Sequence, residues 1–231
     1  MNNLIKGYTD IYTNRNIKNL YPDEYIVRIF NGIYPKLDLK RYGFRGKKIC
    51  EVGCGDGRNL QMLSRLGFDI SATEIGNDIV QHIMYELKKI KIHSNIKKGS
   101  NKNIPFNNQE FEFLLSWNSC YYMEDSEEMY LFKKHVIEFH RVLKPEGILI
   151  LSIPMKSNYI FNNGIITNGY IEITSDPYKI RNGQIFKYFL DEQDIINCFS
   201  PYFKDFNFST RIDYCFGIQN DSYVVVCKKN N

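Results

Sequence analysis

The sequence has no Cys-x-x-Cys pair and no Cys/His cluster at zinc spacing, although it holds six cysteines, at 50, 54, 120, 198, 215 and 227. That spacing argues against a structural metal and leaves reduced, mostly buried thiols as the expectation. No run of about 18 apolar residues occurs, so a membrane-spanning helix is not expected. The first fifteen residues, MNNLIKGYTDIYTNR, lack the apolar stretch of a signal peptide. A soluble, cytoplasmic protein with no membrane partner follows. Repeats are missing, and so is a basic stripe: the net charge of +4 is spread thinly, with Lys88-Lys89 and Lys97-Lys98 bordered by apolar residues. Charge so dispersed does not point to nucleic acid as a partner.

What is present is enough apolar surface for a core. Hydrophobic residues make up 43% and aromatics 15% of 231 residues, a length usual for one α/β domain. Pro22 suits a first helical turn, and Ile26, Ile29, Phe30 and Ile33 follow at helical spacing. A strand over 47–53, a helix over 57–66 and a strand over 69–74 make a βαβ unit. A helix over 78–90, a short strand over 96–100 and a nearly continuous apolar strand over 111–117 come next. A helix is expected from Ser126 to Leu143, then a buried strand over 147–154. After Pro154 the pattern loosens, and residues 155–188 are long for a bare connection, which suggests a polar, aromatic lid. Asp191 opens a last helix. Residues 203–217 and 222–229 read as a hairpin closing the edge of a doubly wound sheet.

The segment ICEVGCGDGRNL, residues 49–60, runs from a strand through three alternate glycines into a helix. In an open α/β sheet a ligand lies beyond the carboxyl ends of the strands, and Gly53, Gly55 and Gly57 let its backbone approach closely. Glu74 ends the second strand about 20 residues downstream, where an acid can accept both hydroxyls of a ribose. A dinucleotide fits less well: its third glycine is replaced by Arg58. Glu51, just before the loop, repels a pyrophosphate but favours an ammonium or a sulfonium. S-adenosylmethionine carries both.

These residues resemble a known family. Glu51-Val-Gly-Cys-Gly-Asp-Gly is similar to the first motif of class I S-adenosylmethionine-dependent methyltransferases, and Glu74 to their acidic second motif. NIPFNNQEFEFLLSW (103–117) resembles their segment between the third and fourth strands, and HRVLKPEGILILSIP (140–154) their stretch around the fifth strand. The resemblance covers roughly residues 47 to 154, in order. It implies a Rossmann-like, doubly wound, mostly parallel seven-stranded α/β sheet with an N-terminal helical cap (1–45), a cofactor core (46–154), a substrate lid (155–190) and a C-terminal helix and hairpin (191–231). It also implies that Glu51, Gly53, Cys54 and Gly55 line the methionyl part, Glu74 holds the ribose and Ile75 packs on the adenine. Ser100 and Asn101 would sit near the adenine amino group, although many relatives place Asp at the position of Ser100. Trp117 and Asn118 would face the methionyl chain. Because the segment before the first strand closes over the cofactor in related enzymes, Tyr12 and Arg28 join the candidates, Tyr12 on the cofactor and Arg28 on the acceptor.

Tyr121, Tyr122 and Glu124 follow the fourth strand, where a loop would meet the acceptor; the competing reading of the two tyrosines is a cover for the core's rim. In the lid, Tyr159, Tyr170, Tyr178 and Lys187, with Asn163, suit a small hydrogen-bonding molecule. The histidines make poor bases: His82 and His93 read as solvated, His135 and His140 as structural. Asp56 reads as a cap for the helix that follows. The implied reaction is methyl transfer to O or N of a small polar metabolite, such as a sugar, a sugar nucleotide or an amino-acid derivative, as for a precursor in cell-surface glycan synthesis. The Asn-Pro-Pro-Tyr/Phe signature of base methylation and a Pro-Cys nucleophile are both missing. An RNA methyltransferase and a non-catalytic nucleoside binder remain the alternatives.

Overall fold

The computed structural model describes residues 2–123 and 132–231. It opens with α1 (Asn2–Tyr12) and α2 (Glu24–Asn31). α1 lies within the helical cap expected over 1–45, although the residue pattern marks no separate helix over 2–12; its Leu4, Tyr8 and Tyr12 recur every fourth residue on one face, but Gly7 and flanking polar residues blur the stripe. Pro22 stands outside α2, because Asp23 is its N-cap and accepts the Tyr25 N–H at 2.9 Å.

The core follows as β1 (Lys48–Val52), α3 (Arg58–Arg65), β2 (Asp69–Glu74), α4 (Asn77–Lys89), β3 (Asn95–Lys98), β4 (Phe111–Ser116), α5 (Phe132–Val142) and β5 (Leu143–Pro154). The expected helix start at Ser126 lies outside the described residues. The chain continues through β6 (Ile165–Thr167), β7 (Tyr170–Glu172), β8 (Ile185–Lys187), α6 (Glu192–Phe199), β9 (Phe203–Arg211), β10 (Tyr214–Cys215), β11 (Ile218–Gln219) and β12 (Ser222–Lys229). Asp191 caps α6 by accepting the Asp194 N–H at 2.9 Å.

Seven strands form one sheet in the order β3-β2-β1-β4-β5-β12-β9. The first five are parallel, and β12 runs antiparallel to both of its neighbours. Both faces are covered, which is why the inner strands read as unbroken apolar runs. In β5, Leu149, Leu151 and Ile153 face a core shared with Phe139 of α5 and Phe199 of α6. Ile148 and Ile150 face the other, shared with Phe30 of α2, Leu60 of α3 and Ile83 of α4. This is the expected doubly wound sheet, with the β9–β12 hairpin extended at its tip by the short β10–β11 pair. Among the described residues no helix is long and apolar enough to cross a membrane.

The segment after Pro154, expected as a polar, aromatic lid with a loose pattern, is packed. β6, β7 and β8 form a three-stranded antiparallel sheet whose Ile171, Ile173 and Phe186 join the α5-side core. β8 also docks on the segment after β4: Lys187 N–H donates to the Tyr121 carbonyl at 2.8 Å, and Met123 N–H to the Ile185 carbonyl at 3.0 Å. Strands of three residues are too short to show alternation, so the sequence pattern looked loose where the chain is packed.

Candidate functional site

Beyond the carboxyl ends of β1, β2, β3 and β4 lies a cavity of about 370 Å³, the position and size expected of a small-molecule site in an open sheet. The glycine turn between β1 and α3 forms its floor. Gly53 has φ 72°, and a Cβ there would stand 2.1 Å from the Ser119 Oγ. Gly55 has φ 56°, and its Cβ would meet the Tyr12 ring at 3.2 Å. Bare backbone at these positions admits a serine from the β4 loop and a tyrosine from α1, besides any ligand.

Glu51 ends up buried against this turn. Its Oε1 accepts from Asn59 Nδ2 at 2.7 Å, and the Asn59 Oδ1 accepts the Asp23 N–H at 3.0 Å, so one side chain ties the acid to the α2 cap. Its Oε2 is buried with no hydrogen-bond partner among the described residues. Burial pushes the Glu51 carboxyl up to about 8, against the Asn59 hydrogen bond that favours ionisation. A cation placed beside Oε2 would favour the ionised form and oppose that rise.

Glu74, at the end of β2, accepts the Gly55 N–H at 2.9 Å and the Ile75 N–H at 2.8 Å. Burial raises its carboxyl above the usual range, and those two backbone donors oppose the rise. Asp56 is not the N-cap of α3, which is Gly57; it stands one residue earlier. It receives the Arg58 N–H only at 3.3 Å, but binds Arg15 at 2.6 Å and the Arg58 guanidinium at 2.5 Å. Burial would raise Asp56, yet the two arginines outweigh it and hold it below the ordinary carboxylate range. Trp117 lines the cavity, and its Nε1 has no hydrogen-bond partner among the described residues. Asn118, at φ 53°, is fixed by Ser152: its N–H donates to Ser152 Oγ at 2.7 Å, and that hydroxyl donates to Asn118 Oδ1 at 2.9 Å.

A second group closes another part of the cavity. The Tyr8 and Tyr122 hydroxyls meet at 2.5 Å. Arg181 Nε donates to both, at 3.0 and 3.1 Å, and its Nη1 reaches the Tyr159 hydroxyl at 3.4 Å. Asp176, whose side chain is fully buried, takes the same Nη1 at 3.0 Å. Burial alone would lower Arg181, but the phenols around it raise it further, so the guanidinium stays charged. Burial likewise raises the Tyr122 phenol well above its ordinary value.

Every residue expected around the cofactor lies on this cavity: Tyr12, the turn with Glu51 and Cys54, Glu74 with Ile75, Ser100 with Asn101, and Trp117 with Asn118. Tyr121, Tyr122 and Tyr159 are there too. Four of the acceptor candidates are not, which corrects the expectation. Arg28 stands on the exposed face of α2, paired with Glu24 at 2.5 Å. Tyr170 is buried in the core of the insertion. Tyr178 is 55% exposed and packs edge-on to Tyr159 outside the cavity wall. Lys187 turns back to the carbonyls of Gly169 and Tyr188, between the rings of Tyr170 and Phe189. Glu124 lies outside the described residues. No histidine lines the cavity: His135 is buried with Nδ1 at 2.9 Å from the Cys120 carbonyl, and burial lowers it to about 4. His82 contacts the Arg15 carbonyl at 3.1 Å rather than water alone. Arg181 and Asn59 escaped the sequence reading; the Asp176-Pro177 turn signal ahead of Arg181 was the available clue.

Residues 50–151 match the family described as a methyltransferase domain. A protein of Geobacillus sp. (strain WCH70), named as a candidate methyltransferase, is 24% identical over 141 residues, covering 59% of this chain and 55% of that protein. The match therefore spans about half of that relative's length. A solved Methanosarcina mazei structure described as a S-adenosylmethionine-dependent methyltransferase superposes with a TM-score of 0.63 at 16% identity, over 86% of this chain and 98% of that one. The Pyrococcus horikoshii PH0226 protein gives 0.62 at 17% identity, over 96% and 99%. The strand order and the acid-flanked glycine turn define the class as a methyltransferase fold. Residues 50–151 thus carry the match to a methyltransferase domain, and the solved structures share the fold that surrounds it.

Proposed function

We propose that the protein methylates an oxygen or nitrogen of a small polar metabolite, in the class of sugars, sugar nucleotides and amino-acid derivatives, with S-adenosylmethionine as donor. One observation carries this reading: the buried, unpartnered Oε2 of Glu51 inside the cavity. A buried carboxyl oxygen left without a hydrogen-bond partner is costly, and a cationic group completes it by drawing the carboxyl into its ionised form. An ammonium and a sulfonium suit such a pocket; a diphosphate does not.

Glu51 would hold the ammonium, Glu74 the ribose hydroxyls and Ile75 the adenine, with Ser100 and Asn101 at its edge. When bound, the cofactor supplies a methyl on a positively charged sulfur that is already activated for displacement. The chain's own contribution is alignment, which can supply much of the rate. Tyr121 and Tyr122 flank the space left for an acceptor, and with phenols pushed up by burial they orient it as hydrogen-bond donors rather than take its proton.

Calorimetry with S-adenosylmethionine, S-adenosylhomocysteine and NAD tests the cofactor, and labelled S-adenosylmethionine incubated with a metabolite extract tests the acceptor. Binding of both adenosyl compounds and label in a small product are expected. Preference for NAD, or label confined to RNA or protein, would overturn the reading.

A further inference from the structure

We propose that Arg181, Tyr8, Tyr122 and Tyr159 form an oxyanion subsite that takes a carboxylate or phosphate group of the methyl acceptor; this rests on the methyltransferase reading above. All four line the cavity. They come from four separate parts of the chain: α1, the segment after β4, the turn before β6 and the turn between β7 and β8. Only the folded protein brings them together.

The hydrogen count decides what they can bind. Arg181 Nε–H is shared by the Tyr8 and Tyr122 oxygens, and Nη1 serves Tyr159 and Asp176. One phenol of the Tyr8–Tyr122 pair donates to the other, so the receiving phenol still has its own O–H to give. Tyr159 likewise accepts from Arg181, and no acceptor for its O–H is found among the described residues. The cluster therefore presents two hydroxyl hydrogens beside a guanidinium, while lone pairs on its oxygens are largely used. A neutral hydroxyl needs both a donor and an acceptor; an oxyanion needs donors alone.

Asp176 offsets part of this charge from behind, since it pairs with Nη1 but does not line the cavity. Its two oxygens are spread over the backbone N–H groups of Tyr178, Ile180 and Arg181, at 3.2, 3.0 and 3.0 Å, besides Nη1. The carboxylate is spent on folding the 176–181 turn and holding the guanidinium in place. The other charges on the cavity sit elsewhere: Asp56 is taken by Arg15 and Arg58, Asp23 by Arg211, and Glu51 and Glu74 belong to the glycine turn.

The test titrates benzoate, phenyl phosphate and the neutral isostere benzamide into wild-type protein saturated with S-adenosylhomocysteine, by calorimetry at low salt. At least one anion should bind about tenfold or more tightly than benzamide, and the preferred anion assigns carboxylate or phosphate. R181M should weaken that anion about tenfold or more, R181K less, and Y159F, which keeps the Arg181–Asp176 pair, by several fold. Affinity for S-adenosylhomocysteine should stay within about twofold in all three variants. Equal binding of benzamide, no binding of either anion, or an unchanged anion affinity in folded R181M and Y159F would overturn the subsite. Loss of S-adenosylhomocysteine binding in R181K and R181M would assign Arg181 to the cofactor's own carboxylate, and also overturns it. If wild-type protein fails to bind S-adenosylhomocysteine at all, the methyltransferase reading itself has failed, which is a separate result.

Discussion

The two sides of the cavity are built differently. One is carried by strand ends: Glu51 and Glu74 stand on β1 and β2, whose register is fixed along the whole strand, with Glu51 opposite Ala72. The other is carried by α1 and by turns of the insertion, and is held by hydroxyl and guanidinium contacts between side chains far apart in sequence. The first side offers acids that lack a cation, the second a cation among donors. Sheet geometry thus supplies a pocket that many sequences can share, while the packed insertion sets what is peculiar to this one.

The largest way to break the first side is Gly53→Ala. At φ 72° with its Cβ 2.1 Å from Ser119, the variant should lose about 3 kcal/mol of stability and all measurable S-adenosylhomocysteine binding, by thermal unfolding and calorimetry. Wild-type stability in G53A would show that the turn can relax.

Glu51→Gln should weaken S-adenosylmethionine by about 2 kcal/mol, roughly 30-fold. Its pH signature is sharper. The free carboxyl is protonated below about 8, whereas a bound cation needs it ionised, so binding releases a proton and wild-type affinity climbs as pH rises toward about 8. In the absence of ligand the sign reverses for stability: with the folded value above the ordinary one, the contribution is present at low pH and is lost as pH rises through about 8. E51Q should flatten both profiles. Trp117, the single tryptophan, lies on the cavity and gives a fluorescence readout for the titration.

Asn59→Ala removes the only donor to Glu51 in the described structure, and should lower cofactor affinity about tenfold while costing about 1 kcal/mol in urea denaturation. Tyr8→Phe acts on the other side alone: the acceptor's KM should rise several fold with cofactor affinity unmoved, and the comparison fails if the two change together. Arg28→Ala, which removes an exposed i,i+4 pair outside the cavity, should change stability by less than about 0.5 kcal/mol and leave turnover as it was.

The sheet side was legible before any coordinates because its chemistry is local. A strand, a glycine turn and an acid at the next strand end are contiguous patterns, and Glu51, Gly53 and Glu74 fall on the cavity as that pattern requires. The insertion was not legible in the same way. Tyr159 and Tyr170 sit in similar polar, aromatic surroundings in the sequence, yet one lines the cavity and the other is in a core, since a single 3-10 turn and a three-residue strand carry no period to say which face is which. Arg181 looked like one of many surface cations until the Asp176 turn and two distant tyrosines surrounded it. The rise in the Glu51 carboxyl was equally hidden, because it comes from burial under α3 and the α2 cap rather than from its neighbours in the chain.

The place of β12 in the sheet has a consequence during synthesis. β5 exposes a nearly unbroken apolar edge from Gly147 to Pro154, and its partner on that side, Ser222–Lys228, is translated much later. Until then the nascent chain carries an open strand edge able to pair with a neighbour's. Removing residues 222–231 should therefore yield inclusion bodies rather than a trimmed enzyme, and chaperone dependence should be greatest before Ser222–Lys228 has been translated.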